Sequence, residues 1–196
     1  MRQFIFSFLL LLIPFLAGCT AEPTPVPEVI PLPSLEIPLL DTSAGEPRTA
    51  GYWLLWNACA PGNMAETARL NGGRAKGWII LDDLLADPGI VLGDYRVDSC
   101  AAALELLNGR MLDGTPTQDA VYSLAAALLT AELNRSAGAE NCQAVEAAAT
   151  ASHVILAGAG FNGMGEYSLA LAEGDTEAIP VLIEGLAQYN LGDLCK

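Results

Sequence analysis

Between residues 116 and 135 the chain reads PTQDAVYSLAAALLTAELNR, and most positions are Val, Leu, Ala or Tyr. On a helix turning about 100° per residue, Asp119, Ser123, Thr130 and Asn134 fall in one polar stripe roughly 60° wide. A surface helix presents a broad polar face, so one this apolar is enclosed by others. The pattern predicts a central buried helix from Pro116 to Arg135. Thr115 suits its N-cap, and Pro116 suits the first helical position, where a missing N–H is harmless. Gly138 follows the far end, where a left-handed C-cap favours a residue without a Cβ. Ala125, Ala126, Ala127 and Ala131 let neighbouring helices approach closely.

The remaining periodicities surround that helix. Ile90-Val91-Leu92 and Tyr95-Arg96-Val97 flank Gly93-Asp94, the signature of a short hairpin with a type II′ turn. Asp98 or Ser99 caps a helix that turns Cys100, Leu104 and Leu107 inward and ends at Gly109. A helix from about Asn141 to Ala157 gathers Cys142, Val145, Ala149, Ser152 and Leu156 on one face. Glu146, Thr150 and His153 share the opposite stripe, which makes His153 a solvated surface residue. The last helix begins near Asp175 or Thr176 and stops before Gly192, with Ile179, Leu182, Ile183, Leu186 and Tyr189 as its core stripe. Pro180 lies near enough to its start to be accommodated. Asp82 caps a short turn over Asp83 to Ala86, ended by Asp87-Pro88-Gly89. The fold class is mainly α: a small helical domain around a central buried helix, with one short β-hairpin, occupying residues 50–196.

At the N-terminus the same apolar patterning means something else. Arg2 precedes an apolar run from Phe4 to Leu16 that is too short for a comfortable membrane span, so residues 1–18 read as an export signal. The run closes on Leu16-Ala17-Gly18-Cys19, which resembles the lipobox of bacterial lipoproteins. That resemblance implies cleavage before Cys19, acylation of its thiol, and attachment to the outer face of a bacterial membrane or the cell surface. Residues 19–49 then form a tether: prolines at 23, 25, 27, 31, 33, 38 and 47 remove backbone donors and favour extended geometry.

Charge and cysteine content narrow the partners. Nine basic residues against 23 acidic ones give a net charge of −14, which argues against nucleic acid. Besides Cys19 the chain holds Cys59, Cys100, Cys142 and Cys195, an even set that implies two disulfides with three connectivities open. Cys142 opens one predicted helix and Cys195 lies just past the end of another. If those helices are antiparallel, Cys142 pairs with Cys195 and Cys59 with Cys100. No Cys-x-x-Cys pair and a single histidine leave no metal site, and no cofactor is expected.

Gly158-Ala159-Gly160-Phe161-Asn162-Gly163 matches the dinucleotide-binding pattern G-x-G-x-x-G and follows the strand-like run HVILA. Such a site needs a parallel sheet around it, and nothing upstream supplies one, so the glycines are expected in a loop between helices. Asp82 and Asp83 are available to carboxylate chemistry, but neighbouring acids in an acidic chain carry little information. Tyr52, Trp53, Trp56 and Trp78 cluster early in the domain. They either cover the end of the core or form a contact surface able to stack on a sugar ring.

Several landmarks occur in a telling order: Gly51-Tyr52-Trp53, the hairpin IVLGDYRV, the helix LAAALLTAELN before Ala137-Gly138-Ala139, and Tyr189-Asn190-Leu191-Gly192. Together they resemble an uncharacterised extracellular module of bacterial surface proteins. The resemblance implies an extracellular, non-enzymatic setting and carries over no catalytic residue. The expectation is a lipid-anchored cell-envelope structural or binding module, with an envelope protein or glycan as partner. The alternative is an envelope glycan or peptide hydrolase that works through carboxylates.

Overall fold

The computed structural model describes residues 45–86 and 88–196; the expected export signal over residues 1–18, Cys19, the expected tether as far as residue 44 and Asp87 lie outside the described residues. Among the described residues the order is α1 (Ala50–Leu55), α2 (Ala65–Leu70), a 3-10 turn (Gly73–Lys76), α3 (Leu81–Leu85), β1 (Ile90–Leu92) and β2 (Tyr95–Val97). Four longer helices follow: α4 (Cys100–Leu107), α5 (Ala120–Ser136), α6 (Gln143–Gly158) and α7 (Glu173–Asn190). The domain is mainly helical with a single two-stranded antiparallel hairpin.

Helix α5 is the centre. It packs against α1, α3, α4, α6, α7 and β1. Val121, Leu124, Ala125, Leu128, Leu129, Ala131 and Leu133 are completely enclosed. Its start differs from the expected one. Thr115 and Pro116 are not helical: Arg110 and Pro116 form an antiparallel bridge, and Met111 N–H donates to the Thr115 carbonyl across a tight turn. Asp119 is the N-cap instead, accepting the Val121 N–H at 2.9 Å. The turn residues Asp113 and Gly114 close a small loop first, and a carboxylate at the helix start outcompetes Thr115 because it also meets the positive end of the helix dipole. At the far end Gly138 has φ +92°, with the Ala139 N–H reaching the Asn134 carbonyl at 2.9 Å.

The polar stripe of α5 is also not a solvent face. Ser123 is exposed, but Thr130 and Asn134 are buried. Thr130 Oγ1 donates back to the Ala126 carbonyl at 2.8 Å. Asn134 accepts the Arg48 N–H at 2.9 Å and donates to the Arg48 carbonyl at 2.8 Å and to Asn190 Oδ1 at 3.0 Å.

The hairpin pairs Ile90 with Val97, Val91 with Arg96 and Leu92 with Tyr95. Gly93 at its turn has φ +60°, and a Cβ there would stand 2.6 Å from the Ala157 nitrogen and 2.9 Å from the Leu156 carbonyl carbon. Glycine thus serves both the turn and its close contact with α6. In α4 Ser99 is the N-cap, its Oγ accepting the Ala102 N–H at 3.3 Å. The core face of α4 is Ala103, Leu106 and Leu107, with Leu104 half-buried rather than central. Helix α6 buries Val145, Ala149, Ser152, Ile155 and Leu156, and α7 buries Ile179, Leu186, Tyr189 and Asn190. Leu182 and Ile183 lie at the margin of the core, and Pro180 is on an exposed face.

Cys59 is bonded to Cys100 with a Cα separation of 6.2 Å, and Cys142 to Cys195 at 5.7 Å. They span 41 and 53 residues of chain. Loops of that length give about 4 kcal/mol per bridge on a chain-entropy account. Two disulfides fit an extracellular protein, and among the described residues no helix is long and apolar enough to cross a membrane.

Leu128→Asp places an unpaired carboxylate in the fully enclosed centre of α5 and is expected to abolish folding. Ser123→Asp, on the exposed position of the same helix, is expected to change stability by less than about 0.5 kcal/mol. Thermal melts followed by circular dichroism check both; equal destabilisation would show that the α5 orientation is wrong.

Candidate functional site

The short elements before the hairpin build an aromatic ladder that ends in a groove. Arg48 begins it. Its side chain is 5% exposed, and its guanidinium carbon lies 4.8 Å from the centre of the Tyr52 ring and 5.5 Å from that of Trp53. The guanidinium Nη atoms meet no hydrogen-bond acceptor among the described residues, so the two ring faces are its visible electrostatic compensation. Tyr52 stacks on Trp56 with centroids 5.5 Å apart and planes 11° from parallel. Trp56 then stacks on Trp78 at 5.2 Å and 29°. Trp53 meets the edge of Tyr52 at 4.9 Å and 86°.

Main-chain bonds hold the ladder in register. Tyr52 Oη donates to the Ile79 carbonyl at 2.9 Å, and the Leu81 N–H donates to the Trp56 carbonyl at 2.9 Å. The segment carrying Trp78 is thereby fixed to α1. Of the four aromatics expected as a contact surface, Trp53 is wholly enclosed and Tyr52 is buried. Trp56 and Trp78 are half-buried. Burial assigns the first pair to the core and leaves the outer end of the ladder open to contact.

Beside Trp78 lies a groove of about 330 Å³, with Ala68 and Ile80 joining the indole on its apolar side. Its charged residues are Glu66, Arg69, Arg74 and Asp83. Arg69 Nε donates to Glu66 Oε2 at 2.7 Å, and a second bond joins Arg69 Nη2 to Glu66 Oε1. Arg74 Nη1 donates to the Asp83 carbonyl at 3.0 Å. Asp83 Oδ2 accepts the Ile80 N–H at 3.2 Å. Ile80, the N-cap residue of α3, has no polar side-chain atom, so Asp83 alone supplies side-chain capping there. Asp82 turns elsewhere and accepts the Ala58 N–H at 2.7 Å. The sequence reading missed Glu66, Arg69 and Arg74. The Glu-x-x-Arg spacing marks the first pair as helical neighbours, but nothing local ties Arg74 to the α3 carbonyl nine residues on.

Asp119, Glu132 and Glu66 have structural partners. Asp119 Oδ1 accepts from Val121 N–H and from Ser168 Oγ at 2.5 Å, and Oδ2 accepts from the N–H groups of Tyr167 at 2.5 Å and Ser168 at 3.0 Å. Burial pushes its carboxyl up, but these bonds outweigh burial and hold it below the ordinary 3.8. Glu132 is likewise lowered. Burial opposes the shift, and the hydrogen bond from His153 with the charge and bond of Arg135 prevails. Glu66 is lowered chiefly by its bond to Arg69.

His153 departs from its expected surface role. Its Nδ1 accepts the Gly93 N–H at 3.2 Å, and its Nε2 lies 3.3 Å from Glu132 Oε1. Accepting at Nδ1 leaves Nε2 as the protonated nitrogen that donates to Glu132. The side chain is a wedge between the hairpin turn, α6 and α5; the helical spacing placed it correctly on α6 but carried no information about the turn that covers it.

The Gly158–Gly163 run lies at the end of α6 and in the loop beyond, with HVILA inside the helix and no parallel sheet among the described residues. A dinucleotide site is therefore not built. Among the described residues no group of three His, Cys, Asp or Glu side chains is placed to hold a metal ion. No family model matches the chain, nor does any curated protein or solved structure.

Two measurements follow. His153→Ala removes the acceptor of a partly buried N–H and is expected to cost about 1–2 kcal/mol in denaturant unfolding. Asp119→Ala is expected to cost about 2–3 kcal/mol at neutral pH. Because the folded Asp119 value lies below the unfolded one, its contribution is whole above the unfolded pKa and is lost as pH falls through the folded pKa. The stability gap between the two proteins should be full and level above pH about 4 and should narrow as pH falls below it; a gap that stays constant into the acid range would contradict the assignment.

Proposed function

We propose that this chain is a non-catalytic binding module of the bacterial cell envelope, held at the membrane by lipid on Cys19. What carries the reading is the Trp78 groove: a half-buried indole fixed on a stacked ladder, ringed by two arginines and two carboxylates. Binding sites are typically concave, with an aromatic or apolar lining and a few convergent polar groups on rigid supports. The two disulfides suit a domain that functions outside the cell. The ordered landmarks that resemble an extracellular module of surface proteins are in keeping with this reading.

One observation favours a hydrolase as the second reading: Glu66 and Asp83 both border the groove. Glycosidic cleavage by a carboxyl pair needs one member with a raised pKa, able to donate a proton to the leaving oxygen. Glu66 moves the opposite way, held ionised by Arg69. Binding without turnover is the better account.

Cys19→Ala is expected to release the full-length protein from membranes and to abolish incorporation of labelled lipid. Retention in the membrane fraction with no lipid on the peptide beginning at residue 19 would refute the anchor. Incubation of the protein with isolated cell-wall glycan and peptide is expected to release no product; release that disappears in Glu66→Gln or Asp83→Asn would install the hydrolase.

A further inference from the structure

The geometry points to a single neutral pyranose ring of a glycan as the ligand of the Trp78 groove, an inference that rests on the binding-module reading. Three features of the groove choose among ligand chemistries. The first is the platform. Trp78 is half-buried and backed by Trp56 and Tyr52 in succession, so the indole is held in place before any ligand arrives. A flat, rigid π-face suits a flat apolar partner, and one face of a pyranose presents a set of ring C–H groups.

The second feature is the balance of charge. Arg69 and Arg74 stand against Glu66 and Asp83 around the same opening. An anionic ligand meets two carboxylates there and the strongly acidic chain beyond; a cation meets two guanidinium groups. A neutral ligand leaves the Glu66–Arg69 pair intact and is repelled by neither sign.

The third is unused hydrogen-bonding capacity. Arg74 has five N–H donors, and one is engaged with the Asp83 carbonyl. Asp83 accepts the Ile80 N–H through Oδ2, while its Oδ1 accepts no hydrogen bond among the described residues. The residues that carry these donors and this acceptor line the same groove as the indole. Vicinal hydroxyls at the edge of a sugar ring both donate and accept, so one diol meets both; a planar aromatic hydrocarbon leaves them unmet. The volume of about 330 Å³ sits at the small end of ligand sites, roughly 300–1,000 Å³, which fits one ring with its neighbours outside.

The full-length Cys19→Ala protein, titrated with glucose and with the tetrasaccharides of the cellulose, chitin and starch series, tests this by tryptophan fluorescence and saturation-transfer NMR. At least one sugar is expected to bind at millimolar or lower concentration with transfer to its ring C–H protons. Trp78→Ala is expected to weaken binding about tenfold or more and Arg74→Ala about fivefold, magnitudes that stacking and charge-assisted hydrogen bonds supply. Trp78→Phe, which keeps a ring in the stack, should retain partial affinity and so separates loss of the platform from loss of the fold. Affinity that rises from glucose to the tetrasaccharides supports a polymer-borne ring; equal affinity supports a free sugar. No binding by the folded protein across the series overturns the sugar assignment, as does binding that Trp78→Ala and Arg74→Ala leave unchanged. Capture of an envelope protein by wild type in the absence of sugar binding would overturn the sugar alone, whereas failure to capture any envelope component would overturn the binding-module reading with it.

Discussion

Asn134 donates its amide hydrogens to the Arg48 carbonyl and to Asn190, and accepts the Arg48 N–H with its oxygen. One enclosed side chain therefore joins the last turns of α5 and α7 to a segment 86 residues earlier in the chain. A buried primary amide is tolerable only when its donors and acceptor are met, because an orphaned one carries a desolvation penalty of about 1–3 kcal/mol. That requirement fixes the register of three elements at once. Asn190 extends the seam by donating to the Ala127 carbonyl at 3.1 Å. The apolar packing of α5 supplies most of the burial, but Leu and Ala can slide against one another at small cost; the amide seam cannot.

The aromatic ladder depends on that seam. Arg48 lies at its inner end, and its backbone is what Asn134 holds. A guanidinium removed from water has to find compensation nearby, and the faces of Tyr52 and Trp53 lie within cation–π range. From there the order of rings runs outward through Trp56 to Trp78, so the position of the groove is set by an amide on the central helix. The second polar wedge, His153 between Gly93 and Glu132, does the equivalent for the hairpin.

Much of this was readable from residue order. The hairpin needed only Gly93-Asp94 between two short apolar runs, and the faces of α6 and α7 followed from spacing of three and four. The failures share a cause. Thr115-Pro116 is a sound helix start in isolation; besides the local turn and the helix dipole, Asp119 has Tyr167 and Ser168, 48 and 49 residues away, converging on its carboxylate, and no local pattern announces them. Thr130 and Asn134 read only as part of a polar stripe, because periodicity sorts polar from apolar without knowing whether polar groups find partners inside. The partners of His153 were missed for the same reason. The groove combines residues from α2, the 3-10 turn and α3, and a junction of three short elements leaves almost no periodic trace.

The Asn134 clamp has a mechanical corollary. Any tension drawn along the chain from residues before Gly45 reaches Arg48 before it reaches α1, and there part of it is handed to α5 through the two hydrogen bonds between the Arg48 backbone and the Asn134 side chain, and onward to α7. The end of α7 is stapled to the start of α6 by Cys142–Cys195, so that share of the load passes into a covalently closed part of the domain. Helices α1 to α3, which carry the groove, continue directly from Arg48 and are tied to the start of α4 by Cys59–Cys100. A pull on the chain before Gly45 therefore divides at Arg48 between two regions, each closed by its own disulfide.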